Sequence, residues 1–362
     1  MPVPRPLHLA AEIGGRPRFD ARHYTGLALL AERGTLDFVT LDDSFARPGP
    51  DAPAVLARVA PGTRRIGLVP AVTTTHTEPF HVSSAIATLD WVSRGRAGWS
   101  TAVSATAAEA ALFGRRDAAP GDELWHEAGE VADVAARLWD SWDDDAEIRD
   151  VATGRFIDRD RLHYTDFTGR TFSVRGPAIV PRPPQGHPVT VIDGTGAAAR
   201  EAAVRHADVV LVRADDPLTA RTFREEIRNR VAAHGRSPDQ LRVLVSLPVE
   251  LHTSADAVGL ARLIADWYGQ GAADGFHLRP TDVERDLPLI VDGTVPVLQH
   301  HCLLRRFYPG ATLREHLGLT RPAGRYARSP RPAGSTPPQP PHPRDETVRT
   351  PHTKDAIPGG RT

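Results

Sequence analysis

Hydrophobic and polar positions along the chain form two kinds of segment that alternate. Short runs rich in β-branched residues, typical of buried strands, are separated by longer segments in which apolar residues recur at helical spacing. The strand-type runs are Pro6–Ala10, Leu36–Leu41, Arg65–Val72, Ala97–Val103, Pro188–Ile192, Asp208–Val212, Leu241–Leu247 and Gly275–Leu278. The helix-type segments are Tyr24–Arg33, Pro79–Ser93, Asp122–Asp140, Ala197–His206, Leu218–His234 and Ala257–Gly269.

Eight strands alternating with helices over about 320 residues predict an α/β protein with the (β/α)8 TIM barrel fold. In the helix-type segment 122–140, one apolar stripe provides a face for packing on a sheet. The stripe consists of Leu124, Ala128, Val131, Ala135 and Leu138. The long stretch 105–187, between the fourth and fifth strands, is predicted to be an insertion in the barrel.

The end of the chain differs in composition from the rest. Residues 322–362 contain ten Pro and four Gly but only seven hydrophobic residues, too few to offset the entropy cost of ordering. We therefore predict two parts, a barrel over residues 1–321 and a disordered Pro/Arg-rich tail over residues 322–362.

Charge and rare residues exclude several functions. The chain has 44 basic and 45 acidic residues, a formal charge of −1, so no overall field attracts nucleic acid or an anionic membrane. Cys302 is the one cysteine and Lys354 the one lysine, which excludes an internal disulfide and a Schiff-base or P-loop lysine in the barrel. No apolar run is long enough to span a membrane. These features predict a cytoplasmic enzyme without membrane or nucleic-acid partners.

Barrel enzymes carry their functional residues at the carboxyl ends of the strands. The residues expected there are Asp42, Asp43, Ser44, Thr73 to His76, Ser100 to Ser104, Asp193 to Gly196, Arg213, Glu250 and Arg279. His76, Glu78 and His81 contain metal-ligand types, but Pro79 makes Glu78 and Pro79 the expected first turn of a helix. We therefore predict no metal site.

The segment Gly194-Thr195-Gly196-Ala197-Ala198-Ala199 follows a predicted strand and opens a predicted helix. It matches the Gly-x-Gly-x-x-Gly/Ala pattern of dinucleotide-binding proteins, with Asp215 and Asp216 about twenty residues further on. Its physical basis is general, because glycines let the backbone approach a ligand and free amides at a helix N-terminus attract phosphate. The residues leave open a phosphate-binding loop, an NAD-binding fold or a simple tight turn.

A collinear series of strings resembles the bacterial luciferase-like flavin monooxygenases, in the branch of the nitrilotriacetate and dibenzothiophene-sulfone monooxygenases. The strings include 67–70, 73–81, 87–99, 138–142, 172–177, 181–186, 271–276 and 311–319. The resemblance implies a TIM barrel that uses reduced FMN and dioxygen to oxygenate a small organic substrate. It also implies a separate NAD(P)H-dependent flavin reductase as partner and a homodimer.

The resemblance further implies which residues hold the cofactor. The flavin ring is expected near Asp43, Thr73, Thr74 and Ser100, and the phosphate at Gly194, Thr195 and Gly196. In the insertion, the family's usual His and Tyr correspond to Gly121 and Trp125, of which Trp125 can still pack against the ring. No catalytic residue is assigned.

The sequence leaves two alternative functions open. The replacements at Gly121 and Trp125, together with the short connection between Glu250 and the helix-type segment 257–269, allow a homologue that binds flavin weakly and serves as a structural partner. The loop at Gly194 and the acids Asp215 and Asp216 allow an NAD-dependent oxidoreductase.

Overall fold

A computed structural model describes residues 7–327, and its centre is a closed barrel of eight parallel strands. The strands are β1 (His8–Glu12), β2 (Phe38–Leu41), β3 (Gly67–Thr73), β4 (Gly98–Ala102), β5 (Val189–Asp193), β6 (Val209–Val212), β7 (Arg242–Val249) and β8 (Gly275–Pro280). Each strand pairs with the next one along the chain, and β8 closes on β1. All eight predicted strands are present, so the predicted TIM barrel is confirmed.

Helices surround the barrel and connect its strands. They are α1 (Ala21–Arg33), α2 (Ala52–Val59), α3 (Pro79–Ser93), α4 (Ala107–Phe113), α5 (Gly121–Trp139), α6 (Ala197–His206), α7 (Pro217–Ala233), α8 (Ser254–Gly269), α9 (Val283–Leu289), α10 (Val295–His300) and α11 (Leu313–His316). The six predicted helices are confirmed. The five others have eight residues or fewer, too short to produce a clear helical period in the sequence.

Side chains fill the lower half of the barrel and close its amino-terminal end. The interior cluster is apolar and comprises Ala10, Phe38, Val69, Val189, Val191, Val209, Leu211 and Leu244. Leu313, Leu317 and Leu319 from the C-terminal segment pack against the same cluster. Thr40, Ser246 and His277 lie above this apolar cluster, toward the carboxyl ends of the strands, where a barrel places its site.

The insertion between β4 and β5 contains helices and two short hairpins. One hairpin pairs Glu147–Asp150 with Arg155–Ile157, and the other pairs Phe167–Thr168 with Ser173–Val174. The apolar stripe of α5 is buried along its length, as predicted, because the helix packs on both α3 and α6.

A buried guanidinium joins the connection between α3 and β4 to the segment between α2 and β3. Arg96 is 3% exposed and donates five hydrogen bonds to the carbonyl oxygens of Ala60, Thr63, Ile66 and Ser93 and to the Thr63 hydroxyl. Burial lowers the pKa of Arg96, and the five acceptors compensate for much of the lost hydration.

The beginning of the predicted tail contacts the domain. The carbonyl oxygen of Pro322 accepts a hydrogen bond from Nη2 of Arg182 at 2.9 Å, and the Tyr326 ring stacks on His163 with 3.9 Å between centroids. The rest of the predicted tail, residues 328–362, lies outside the described residues. Within residues 7–327, no helix is both long and apolar enough to cross a membrane.

Candidate active site

A hydrogen-bonded imidazole lies at the top of the barrel interior. His277 on β8 lies 2.8 Å from the Thr40 hydroxyl through Nε2 and 3.1 Å from the Ser246 hydroxyl through Nδ1. Burial lowers the pKa of His277 to about 3, and the nearby Arg279 acts in the same direction. The imidazole is therefore neutral at physiological pH and links β2, β7 and β8 across the barrel.

Above this layer, charged side chains ring the mouth of the barrel. The guanidinium of Arg47 contacts the Asp42 carboxylate, and Nη2 of Arg213 donates to Oδ2 of Asp193 at 2.9 Å. Glu12 ends β1 among these groups, and burial, followed by the neighbouring Asp42, raises its pKa. The mouth is thus polar and charged, while the interior below it is apolar.

The glycine loop that precedes α6 is held by hydrogen bonds and by a close contact with β6. Oδ1 of Asp193 accepts from the Thr195 amide at 3.0 Å, and the Thr195 hydroxyl accepts from the Arg213 amide at 3.0 Å. A Cβ at Gly194 would lie 2.7 Å from the Val210 side chain, so the close approach to β6 requires glycine. The loop is therefore fixed by its own hydrogen bonds and by β6.

The N-terminus of α6 fits a phosphate group. Gly196 is the N-cap and provides no side-chain acceptor for the first-turn amides, whereas Asp216 caps α7 by accepting from Leu218 and Thr219. A Cβ at Gly196 would meet no atom within 4 Å, so space remains beside these amides. Unpaired amides at a helix N-terminus bind phosphate well. The donor set therefore fits a phosphate group such as the one that FMN carries.

Two of the residues predicted near the flavin ring, Asp43 and Thr73, line one cavity of about 520 Å³ beside α2 and α3. Ser100 lies on β4 next to Ala71 and Val191 in register, partly exposed and on the interior face. Thr73 ends β3 and is buried, and the Thr74 hydroxyl donates to the carbonyl oxygen of Ala102 at 3.0 Å. Oδ2 of Asp43 accepts from the amide of Ala52, the first residue of α2, at 2.9 Å. Thr74 and Asp43 thus have protein partners within the loops around the mouth.

Trp125 lies outside the barrel mouth. It lines a groove of about 800 Å³ between α5 and α6, together with Ala198 near the start of α6. Gly121 begins α5, and a Cβ there would meet no atom within 4 Å. The structure thus brings Trp125 beside the α6 N-terminus rather than among the predicted ring residues.

Aromatic rings from the loops after β2 and β3 and from the insertion pack together at one side of the mouth. The Phe113 ring of α4 stacks on His76 with 4.8 Å between centroids, and Phe45 meets Phe113 edge-on at 4.8 Å. Both ring nitrogens of His76 are buried without a hydrogen-bond partner among the described residues. His76 therefore packs as an aromatic ring, and residues 7–327 contain no group of three or more side chains suited to a metal ion.

Sequence reasoning missed Glu12, Thr40, Ser246 and His277. The alternation of side chains along each strand could have identified them, because every second residue of a strand points into the barrel. In β8, Phe276 and Leu278 are buried in the outer core, so His277 and Arg279 face inward. That alternation is visible in the sequence once the strand is assigned.

The fold and the mouth define an α/β-barrel enzyme with a phosphate-type loop after its fifth strand. The chain belongs to the luciferase-like monooxygenase family, whose model matches residues 5–295. It is 30% identical to nitrilotriacetate monooxygenase component A of Aminobacter aminovorans, over 85% of this chain and 92% of that protein. It is 28% identical to N-acetyl-S-(2-succino)cysteine monooxygenase of Bacillus subtilis, over 84% and 91%.

The solved structures show the same fold. The EDTA monooxygenase of a Chelativorans species has a TM-score of 0.78 and 24% identity, over 88% of this chain and 99% of that chain. The predicted membership of the luciferase-like class is thus confirmed, and with it a flavin-dependent monooxygenase. The interpretation as an NAD-dependent Rossmann oxidoreductase is wrong, because the glycine loop follows the fifth strand of a closed barrel and Asp216 caps α7.

Proposed function

We propose that this chain is the oxygenase component of a two-component monooxygenase that binds reduced FMN at the barrel mouth. The uncapped N-terminus of α6, behind the Gly194 to Gly196 loop, is the observation that carries the proposal. First-turn amides and the Thr195 hydroxyl would hold the phosphate, with Arg213 beside them. Ser100 and Thr73 would line the ring from the interior face, Thr74 and Asp43 would shape the loops around it, and Trp125 would support α6 from outside.

The bound cofactor supplies the electrons for oxygenation: reduced FMN, dioxygen and substrate give oxygenated substrate, water and oxidised FMN. The chain positions the cofactor and the substrate and excludes water from them. The apolar layer under His277 closes the barrel from below, and Phe45 and Phe113 cover one side of the mouth. Because His277 is neutral and hydrogen-bonded, it adds no charge beneath the bound ring.

The binding experiment compares two helix N-termini. Ala198→Glu places a carboxylate at the second residue of α6, and the control Leu218→Glu places one at the second residue of α7. An acid in the first turn stabilises a helix, so both variants should fold. We expect Ala198→Glu to weaken FMN binding about tenfold or more, which is about 1.4 kcal/mol, with riboflavin binding and the control unchanged.

Flavin fluorescence quenching measures both ligands. Equal loss of FMN and riboflavin binding, or no loss of either, would place the phosphate elsewhere. If the wild-type chain binds neither flavin at high micromolar concentration, the alternative of a structural partner without flavin chemistry is favoured instead.

We further propose that an NAD(P)H-dependent flavin reductase supplies the reduced FMN, as a separate protein in the cytoplasm. The name of the Aminobacter relative, component A, supports a second component. Adding a flavin reductase and NADH to the purified chain should give substrate-dependent oxygen uptake with candidate substrates. Uptake that is the same without the chain would contradict the proposal.

We also propose a homodimer, as implied by the family. The apolar side chain of Ile179, in the insertion, is 72% exposed, which supports an interface there. Light scattering after gel filtration should give twice the chain mass of 39.2 kDa. Ile179→Asp should shift the protein toward the monomer, and a monomeric wild type would exclude the dimer.

A further inference from the structure

Arg279 faces into the barrel mouth. Its neighbours on β8, Phe276 and Leu278, are fully buried in the outer core, and His277 is hydrogen-bonded inside the barrel. Because side chains alternate along a strand, Arg279 lies on the same face as His277, one step nearer the opening. The guanidinium is therefore placed where a ligand in the mouth would meet it.

Two other arginines of the mouth have carboxylate partners, but Arg279 does not. Arg47 contacts Asp42, and Arg213 donates to Asp193. Within residues 7–327, Arg279 makes no hydrogen bond or ion pair, and its Nε is buried without a partner. A partly buried cation without a counter-ion is unfavourable, and an anionic ligand relieves that cost.

Glu12, the neighbouring acid, makes no ion pair with Arg279. Glu12 ends β1, which pairs with β8 in register up to Ala11 and Leu278, so Glu12 and Arg279 are neighbours on the interior face. The Glu12 carboxylate turns toward the following loop, since a Cβ built on Gly14 would lie 3.2 Å from its Oε1. Burial and the neighbouring Asp42 raise the pKa of Glu12, whereas the charge of Arg279 acts in the opposite direction.

We propose that Arg279 is a binding residue for a carboxylate group of the substrate. The planar guanidinium presents two parallel N–H donors that match a carboxylate. A cavity of about 460 Å³, enough for a small organic acid, lies beside the end of β8 at Thr281. Arg279 is not among its lining residues, which include the arginines Arg16 and Arg47 and the acids Glu12, Asp42 and Asp43. This inference rests on the proposed function, because it assigns the carboxylate to the substrate of the flavin reaction.

The phosphate of FMN is the other anion that could meet an arginine here. The amides proposed for it lie at α6, between β5 and β6, where Arg213 is adjacent. Arg279 is on β8, which β7 separates from β6. The two positions therefore serve two anionic groups, the cofactor phosphate beside Arg213 and the substrate carboxylate at Arg279.

The test measures binding of carboxylates by calorimetry, with and without FMN, using succinate, iminodiacetate and citrate as probes and dimethyl succinate as the uncharged control. We expect at least one acid to bind the wild-type chain with a Kd below about 1 mM. Arg279→Gln should weaken that binding tenfold or more, and Arg279→Lys by a smaller factor because it keeps the charge but loses the paired donors. The control Arg262→Gln, on the exposed face of α8, should bind like the wild type.

Each outcome decides the inference. Unchanged acid binding in Arg279→Gln, equal binding of dimethyl succinate, or no acid binding to the wild type would overturn it. A loss of FMN binding relative to riboflavin in Arg279→Gln would also overturn it, by assigning Arg279 to the phosphate. If Arg279→Gln does not fold, Arg279→Lys alone decides. Failure of FMN to bind the wild type, with Arg279-dependent acid binding intact, would contradict only the proposed function.

Discussion

Arg213 neutralises Asp193 at the start of the loop that precedes α6, with Nη2 of the arginine 2.9 Å from Oδ2 of the acid. The same carboxylate accepts from the Thr195 amide through its other oxygen, and so shapes the loop. An acid beside a phosphate site is repulsive unless it is paired. Because Arg213 neutralises it, Asp193 can organise the loop without repelling an anionic ligand.

We therefore predict that Arg213→Gln weakens FMN binding about tenfold, about 1.4 kcal/mol, and leaves riboflavin binding within twofold. The unpaired Asp193 would face the phosphate, and a cation would be lost. The double variant Arg213→Gln with Asp193→Asn should recover part of the affinity, because the amide oxygen still accepts from Thr195 without carrying charge. Fluorescence-quenching titrations with FMN and with riboflavin measure the affinity of each variant. Equal affinities in the single and double variants would show that Asp193 does not act on the phosphate.

The two glycines of the loop should respond differently to alanine. At Gly194 the added methyl would overlap the Val210 side chain at 2.7 Å, and we expect a loss of about 1–3 kcal/mol in unfolding free energy together with weaker FMN binding. At Gly196 the methyl meets open space and φ is −75°, so Gly196→Ala should change stability by less than about 1 kcal/mol. Urea unfolding and FMN titration of both variants test this contrast. Equal effects would mean that the pattern of glycines, rather than the contact with β6, determines the loop.

The strands and long helices were predictable from the sequence because their signals are local. The helices over Pro79–Ser93 and Ala197–His206 have the predicted bounds. The first strand runs His8–Glu12 instead of Pro6–Ala10, and its last residue, Glu12, is the acid of the mouth. A shift of two residues keeps the same interior face, so the barrel was predictable although one site residue was missed.

The contacts of the site were less predictable, because they join residues far apart in the chain. Thr40 and His277 are separated by 237 positions, and only closure of the barrel brings them together. Thr73 and Thr74 are adjacent in sequence, but the Thr74 hydroxyl is used by the Ala102 carbonyl. The position of Trp125 near the ring is implied only by the resemblance, and the structure directs this side chain to the groove between α5 and α6.

The buried guanidinium of Arg96 should be a major contributor to stability. Arg96→Met would leave buried carbonyl oxygens without donors, and we expect a loss of about 3 kcal/mol or more in unfolding free energy. The control Arg94→Met replaces an exposed arginine two residues away and should stay within about 0.5 kcal/mol of wild type. Urea denaturation measures both. A cost for Arg96→Met no larger than that of the control would show that water satisfies these carbonyls.

The neutral His277 makes stability depend on pH. Its pKa is about 3 in the folded barrel because of burial, against about 6.5 in an unfolded chain. Between these values the unfolded state binds one proton more than the folded state, so stability is full above pH 6.5 and falls as the pH decreases. The contribution of this one group is about 1.4 kcal/mol per pH unit.

We therefore predict that His277→Gln, which does not titrate and can still bond to Thr40 and Ser246, loses less stability than the wild type on acidification. The difference between the two proteins should change by about 2 kcal/mol between pH 7 and pH 5, in favour of the variant. Ser246→Ala is the matched control, because it removes one hydrogen bond of the imidazole but keeps the titrating group. Its difference from wild type should stay constant over the same range, in urea unfolding at pH 7, 6 and 5. If the His277→Gln difference is equally constant, the imidazole takes up its proton over the same pH range in the folded and the unfolded chain, and at pH 5 a charged group would lie directly beneath the mouth.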